Sequence, residues 1–101
     1  MELSQVPNSV KESMTAHLLR LLTTRDYPKT ICPSEVVRSL STQDLQDAGV
    51  ERWRDLMPAI RSMVWERMDG GEVEVLQHGE VLPSRTRLED VRGPIRVRNV
   101  V

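Results

Sequence analysis

The chain contains no phenylalanine, and aromatic side chains make up only 3% of its 101 residues. Its core must therefore be aliphatic and methionine-filled, with Trp53 and Trp65 as the only large rings. One cysteine, Cys32, excludes a disulfide framework and any multi-thiolate zinc or iron–sulfur centre. Net charge is almost absent, 14 Lys and Arg against 15 Asp and Glu. That balance excludes a polycationic nucleic-acid coat or a polybasic membrane-surface binder. No run approaches the roughly 18 consecutive apolar residues of a membrane span. Met1–Gln5 shows no basic region, apolar run or small-residue cleavage site, so no secretory signal is expected. No internal repeat is visible. Together these absences lead us to expect a small intracellular, cytoplasmic domain.

Apolar residues make up 39% of the chain, enough for one core and too few residues overall for two. We expect an amino-terminal tail over 1–8 and a single domain over 9–101. Ser9 and Glu12 have the spacing of a capping box, and Val10, Met14, His17, Leu18, Leu21 and Leu22 follow at helical intervals. Thr30 and Ile31 suit a very short strand. Pro33 opens a second helix, whose inner face is Val36, Val37 and Leu40. Ser41–Asp47 is polar and has room for one helical turn. A third and longest helix is expected over 51–69 on the stripe Trp53, Leu56, Met57, Ile60, Met63, Val64 and Met68. Pro58 inside it predicts a kink or a late start. Val73 and Val75 alternate with glutamates, His78–Gly79 suits a two-residue turn into 80–82, and Ile95–Arg98 reads as a final strand. Helix, short strand, helix, helix, hairpin is the order of an α+β winged helix-turn-helix, with three main helices and a small antiparallel sheet.

Three segments, Thr30-Ile31-Cys32-Pro33-Ser34-Glu35-Val36, Trp53-Arg54-Asp55-Leu56-Met57 and Arg92-Gly93-Pro94-Ile95-Arg96, carry a resemblance. With them the chain resembles, over about residues 10–98, an uncharacterised family of small, mainly bacterial winged-helix proteins known as a domain of unknown function. The resemblance implies a winged-helix fold and brings no established reaction, ligand or partner.

The charge is unevenly laid out. After residue 83 five arginines face two acids, so that segment is positive by three and the remainder negative by four. Arg96 and Arg98 should project from one strand face about 7 Å apart, within reach of successive phosphates. Arg85, Arg87 and Arg92 belong to the same candidate set. The alternative is a solvated face, or pairing with acids elsewhere. The third helix would be the recognition helix, its outward face carrying Arg54, Asp55, Pro58, Arg61, Ser62, Glu66 and Asp69. Arg54 and Arg61 are its candidate guanine readers, or else partners in surface ion pairs. Glu72, Glu74 and Glu80 on the hairpin argue against a wing that enters a minor groove, and suit protection of a sheet edge instead.

Trp65 beside Arg61 suits a protein interface with a cation–π stack, or else a core-edge ring. Cys32 at a helix start reads as a buried structural thiol rather than a nucleophile. His17 and His78 lie on different elements and cannot by themselves hold a metal. With no glycine-rich phosphate loop and no nucleophile elbow, we expect no catalytic activity, cofactor or metal site. Two partner classes remain, DNA or another phosphate-bearing ligand, and a protein.

Overall fold

The computed structural model describes residues 1–100; Val101, the end of the expected 9–101 domain, lies outside the described residues. Four α-helices precede a three-stranded antiparallel sheet, with α4 packed on β1, α2 on α4 and α1, and α3 on α1, an α+β layout compatible with a winged helix. The helices are α1 (Asn8–Thr24), α2 (Pro33–Arg38), α3 (Thr42–Ala48) and α4 (Met57–Asp69). The strands are β1 (Val73–Gln77), β2 (Glu80–Val81) and β3 (Arg96–Asn99).

Helix α1 buries Val10, Met14, Leu18, Leu21 and Leu22 of the stripe read from the sequence, while His17 is half-buried at its border. Its start differs from expectation, because the Ser9–Glu12 box does not form. The Pro7 carbonyl accepts from the Val10 and Lys11 amides, each at 3.0 Å, so Ser9 already lies inside the first turn. There its hydroxyl has no orphan amide ahead of it to satisfy. Residues 1–7 form a packed arm: Val6 is buried, and the Met1 amino group donates to the Asp55 carbonyl at 3.2 Å.

Pro33 occupies the first turn of α2, as expected. The polar stretch that follows holds more than a turn. Ser41 Oγ accepts from the Asp44 amide at 3.0 Å, and Asp44 returns a carboxylate oxygen to the Ser41 amide at 3.1 Å. This reciprocal cap starts α3, and Gly49 at φ +73° ends it in the left-handed region. The helix expected to be the longest starts late and, with 13 residues against 17 in α1, is the shorter of the two: a 3-10 turn over Trp53–Leu56 leads into α4, whose first turn contains Pro58. At that position the missing N–H has no partner to lose, and no kink is required.

The β1–β2 hairpin turns on His78 (φ +53°) and Gly79 (φ +80°), both left-handed as a primed two-residue turn demands. Register pairs Leu76 with Val81, and β3 lies along the other edge of β1 with Val75 opposite Val97. Ile31 then pairs with Val97 on the far side of β3, exchanging two backbone bonds of 2.8 Å. The expected short strand is thus a one-residue bridge. Between sheet and helices lies a core of Met14, Leu18, Ile31, Leu56, Ile60 and Ile95 with valines from every layer, all essentially without solvent contact. No helix among the described residues is long and apolar enough to cross a membrane.

Candidate functional site

The segment between β2 and β3 folds back over α4. Trp65 Nε1 donates to the Thr86 carbonyl at 2.9 Å. Arg61 reaches the Gly93 carbonyl at 3.1 Å and that of Val91 at 3.4 Å. From β1, Gln77 holds the Arg92 carbonyl at 2.6 Å. The helix expected to read a base edge is therefore covered along one flank. Its exposed positions are Pro58, Glu66 and Asp69, while Arg67 pairs with Glu72. Among the described residues these exposed α4 positions carry two carboxylates and no cation, which disfavours a phosphate backbone there.

Trp65 is 6% exposed, a core-edge ring with its N–H satisfied by the Thr86 carbonyl. The expected Arg61–Trp65 stack does not form, because the Arg61 guanidinium is held by backbone carbonyls. Cation–π contacts occur elsewhere: Arg54 and Arg38 lie 4.8 and 5.8 Å from the Trp53 ring centre. Arg54 is thus drawn toward Trp53. Arg85 is exposed, and Arg87 pairs with Glu89 in an exposed contact that lowers the Glu89 carboxyl and raises Arg87. Arg92 stands exposed on the rim of a groove of about 420 Å³ whose apolar wall is Met57, Pro58, Leu88 and Val91.

Arg96 and Arg98 do share the outer face of the sheet, opposite the buried Val97. Arg96 is pinned: Nε donates to Thr30 Oγ1 at 2.9 Å and Nη2 to the Thr30 carbonyl at 3.0 Å. Arg98 approaches Glu74 at 3.5 Å and lies over the Tyr27 ring, 4.7 Å from its centre. Its buried Nε has no partner among the described residues. The adjoining loop, 25–30, adds Arg25, which is paired with Glu35, and the exposed Lys29. That ion pair depresses the Glu35 carboxyl, helped by the Cys32 amide at 2.7 Å and opposed by burial. Sequence reasoning missed Tyr27 and Lys29. Their signal was an aromatic beside a cation in a loop, Tyr27-Pro28-Lys29.

The three segments quoted from the sequence meet in space. Cys32 and Pro33 from the first, Met57 from the second, and Gly93, Pro94 and Ile95 from the third line one depression of about 400 Å³ around Arg61. Residues 11–100 match the family described as "Protein of unknown function (DUF3253)". The chain belongs to that family. No curated protein matches it. The DUF3253 match takes in nearly all of α1 and every later element, and the packed arm lies ahead of it.

Within this DUF3253 domain Cys32 is half-buried, and Ser34 Oγ donates to its Sγ at 3.0 Å. His17 contacts Arg20 at 3.2 Å on α1, and His78 holds the hairpin turn. Among the described residues no three His, Cys, Asp or Glu side chains gather where a metal would bind.

Proposed function

We propose that this domain is a non-catalytic nucleic-acid-binding module on a winged-helix scaffold, acting inside the cell, and that it touches phosphate through β3 and the 25–30 loop rather than through α4. The observation that carries this reading is the contrast between two faces. The outer face of α4 exposes Glu66 and Asp69. The β3 face presents a pre-positioned Arg96 beside Arg98, and the adjoining 25–30 loop exposes Lys29 with Asp26. A guanidinium already held at Nε and Nη2 loses little further freedom when Nη1 meets a phosphate oxygen.

Binding of labelled nucleic-acid pools, titrated against salt, tests it. With about two phosphate contacts the logarithmic slope should be about −1.4 on single strands, falling to about −0.7 in Arg96→Ala. Arg96 is the cleaner choice, because removing Arg98 would strand Glu74 as well. Absence of binding to DNA and RNA pools at low salt would sink the proposal.

A protein partner is the second reading, favoured by the apolar groove at Met57, Pro58, Leu88 and Val91. It predicts self-association or partner binding that Leu88→Glu abolishes with the salt slope untouched. A monomer at high concentration whose binding properties survive Leu88→Glu rejects it.

A further inference from the structure

Tyr27 is the most exposed of four large hydrophobic side chains that stand in solvent among the described residues, with Leu19, Val81 and Val100. It is 51% exposed in a chain with three aromatic residues. A hydrophobic ring left in solvent has one favourable contact here, the Arg98 guanidinium stacked 4.7 Å from its centre. That cation is itself fixed, lying against Glu74 and only 15% exposed along its side chain. The ring is therefore backed by a rigid charge on one side and wet over the rest.

Around this ring the loop and strand place anion-binding groups. Lys29 is exposed two residues on, and Arg96 occupies the same strand face as Arg98, two residues away. Arg96 Nη1 has no partner among the described residues, while Nε and Nη2 are tied to Thr30. The local acids do not oppose this equally. Glu35 is engaged by Arg25 and Glu74 by Arg98, which leaves Asp26 as the exposed carboxylate beside Tyr27.

We infer that Tyr27, with Arg98 behind it, is a stacking platform for one unpaired base, and that Arg96 and Lys29 hold the phosphates flanking that base. The ligand class is single-stranded nucleic acid. The inference rests on the phosphate-contacting reading above and adds the strandedness to it. An aromatic face recognises another π-face and is indifferent to which base supplies it. Inside a duplex those faces are covered by neighbouring base pairs, so a single exposed ring has nothing to stack against. A phosphate-only surface would bind a duplex at least as well, since a duplex has the higher charge density.

Anisotropy with one 12-nucleotide sequence, offered as single-stranded DNA, single-stranded RNA and duplex DNA, separates these ideas. Both single strands should bind more tightly than the duplex. Tyr27→Leu should weaken single-strand binding about tenfold, Tyr27→Phe should retain it, and neither should change duplex binding. Circular dichroism and the melting midpoint of Tyr27→Leu should match the parent, as the residue is exposed. Equal affinity for strand and duplex overturns the platform. So does an unchanged affinity in Tyr27→Leu while Arg96→Ala weakens binding, a result that spares the phosphate reading. No binding of any of the three probes removes both. A preference for RNA over DNA would place a contact on the 2′-hydroxyl and keep the platform.

Discussion

Glu35 is one carboxylate with two kinds of partner, the Arg25 guanidinium and the Cys32 amide at 2.7 Å. Arg25 in turn donates to the Thr30 carbonyl at 3.1 Å, so this cluster fixes the loop that carries Tyr27 and the start of α2. The arrangement favours the charged acid and holds its pKa below the ordinary value, chiefly through Arg25. The sign follows from proton linkage. A depressed folded pKa contributes stability that is fully present above the unfolded value near 4.3 and is lost as pH falls through the folded value. Glu35→Gln should therefore be less stable than the parent by about 1–3 kcal/mol at pH 7. Urea midpoints should show that gap constant at neutral pH and closing below about pH 4. A gap that persists at low pH would mean that the charge does not matter there. The sequence showed Glu35 as a helix-start carboxylate, which it is. It did not show Arg25 as the partner, because that contact depends on how the 25–30 loop closes.

At the scale of elements, helices with a long apolar stripe were legible and short polar ones were not. α1 and α4 bury nearly every position that their 3–4 spacing picked out. The His78–Gly79 turn was legible for a different reason, since its backbone angles suit few residue types. α3 buries only Ala48 and had no stripe to read. Its signal was local, the Ser41–Asp44 cap and Gly49, while an equally good pattern at Ser9–Glu12 goes unused. Two sequence-equivalent caps with opposite fates give a direct comparison. Ser41→Ala should cost about 1 kcal/mol, as it leaves the Asp44 amide without its acceptor. Asp44 also accepts from Ser13 Oγ at 3.0 Å, so the loss would loosen the α1–α3 contact too. Ser9→Ala should stay within about 0.5 kcal/mol of the parent. Equal losses in paired melts would show that the cap at Ser41 contributes nothing of its own.

Across the whole molecule, folding engages part of the positive charge that the sequence places in its carboxy-terminal segment. Folding turns Arg61 onto carbonyls, sets Arg98 against Glu74 and couples Arg87 to Glu89. Arg85, Arg87, Arg92 and Arg96 stay exposed, Arg87 within its ion pair and Arg96 held by Thr30. Charge counting along the chain located the asymmetry, but pairing is a three-dimensional property and was not available to it. The same folding lays residues 83–94 over α4, anchored by Arg61, Trp65 and Gln77. Such a cover is held by a few polar bonds and by the half-buried Leu88 and Val91, and should open more readily than the core beneath it. In Arg61→Ala, amides of residues 86–93 should exchange faster by about one order of magnitude, because bonds from a charged donor to carbonyls each contribute about 1.5–3 kcal/mol before compensation. Amides of α1 and β1, which surround the solvent-free core, should keep their protection. Uniform loss of protection would make the cover part of the same cooperative unit as the core. Opening it should also leave duplex-DNA affinity unchanged, since the exposed positions of α4 still present Glu66 and Asp69. A gain in duplex binding by this variant would reveal α4 as a recognition helix held shut, and would move the nucleic-acid contact from the sheet back to the helix.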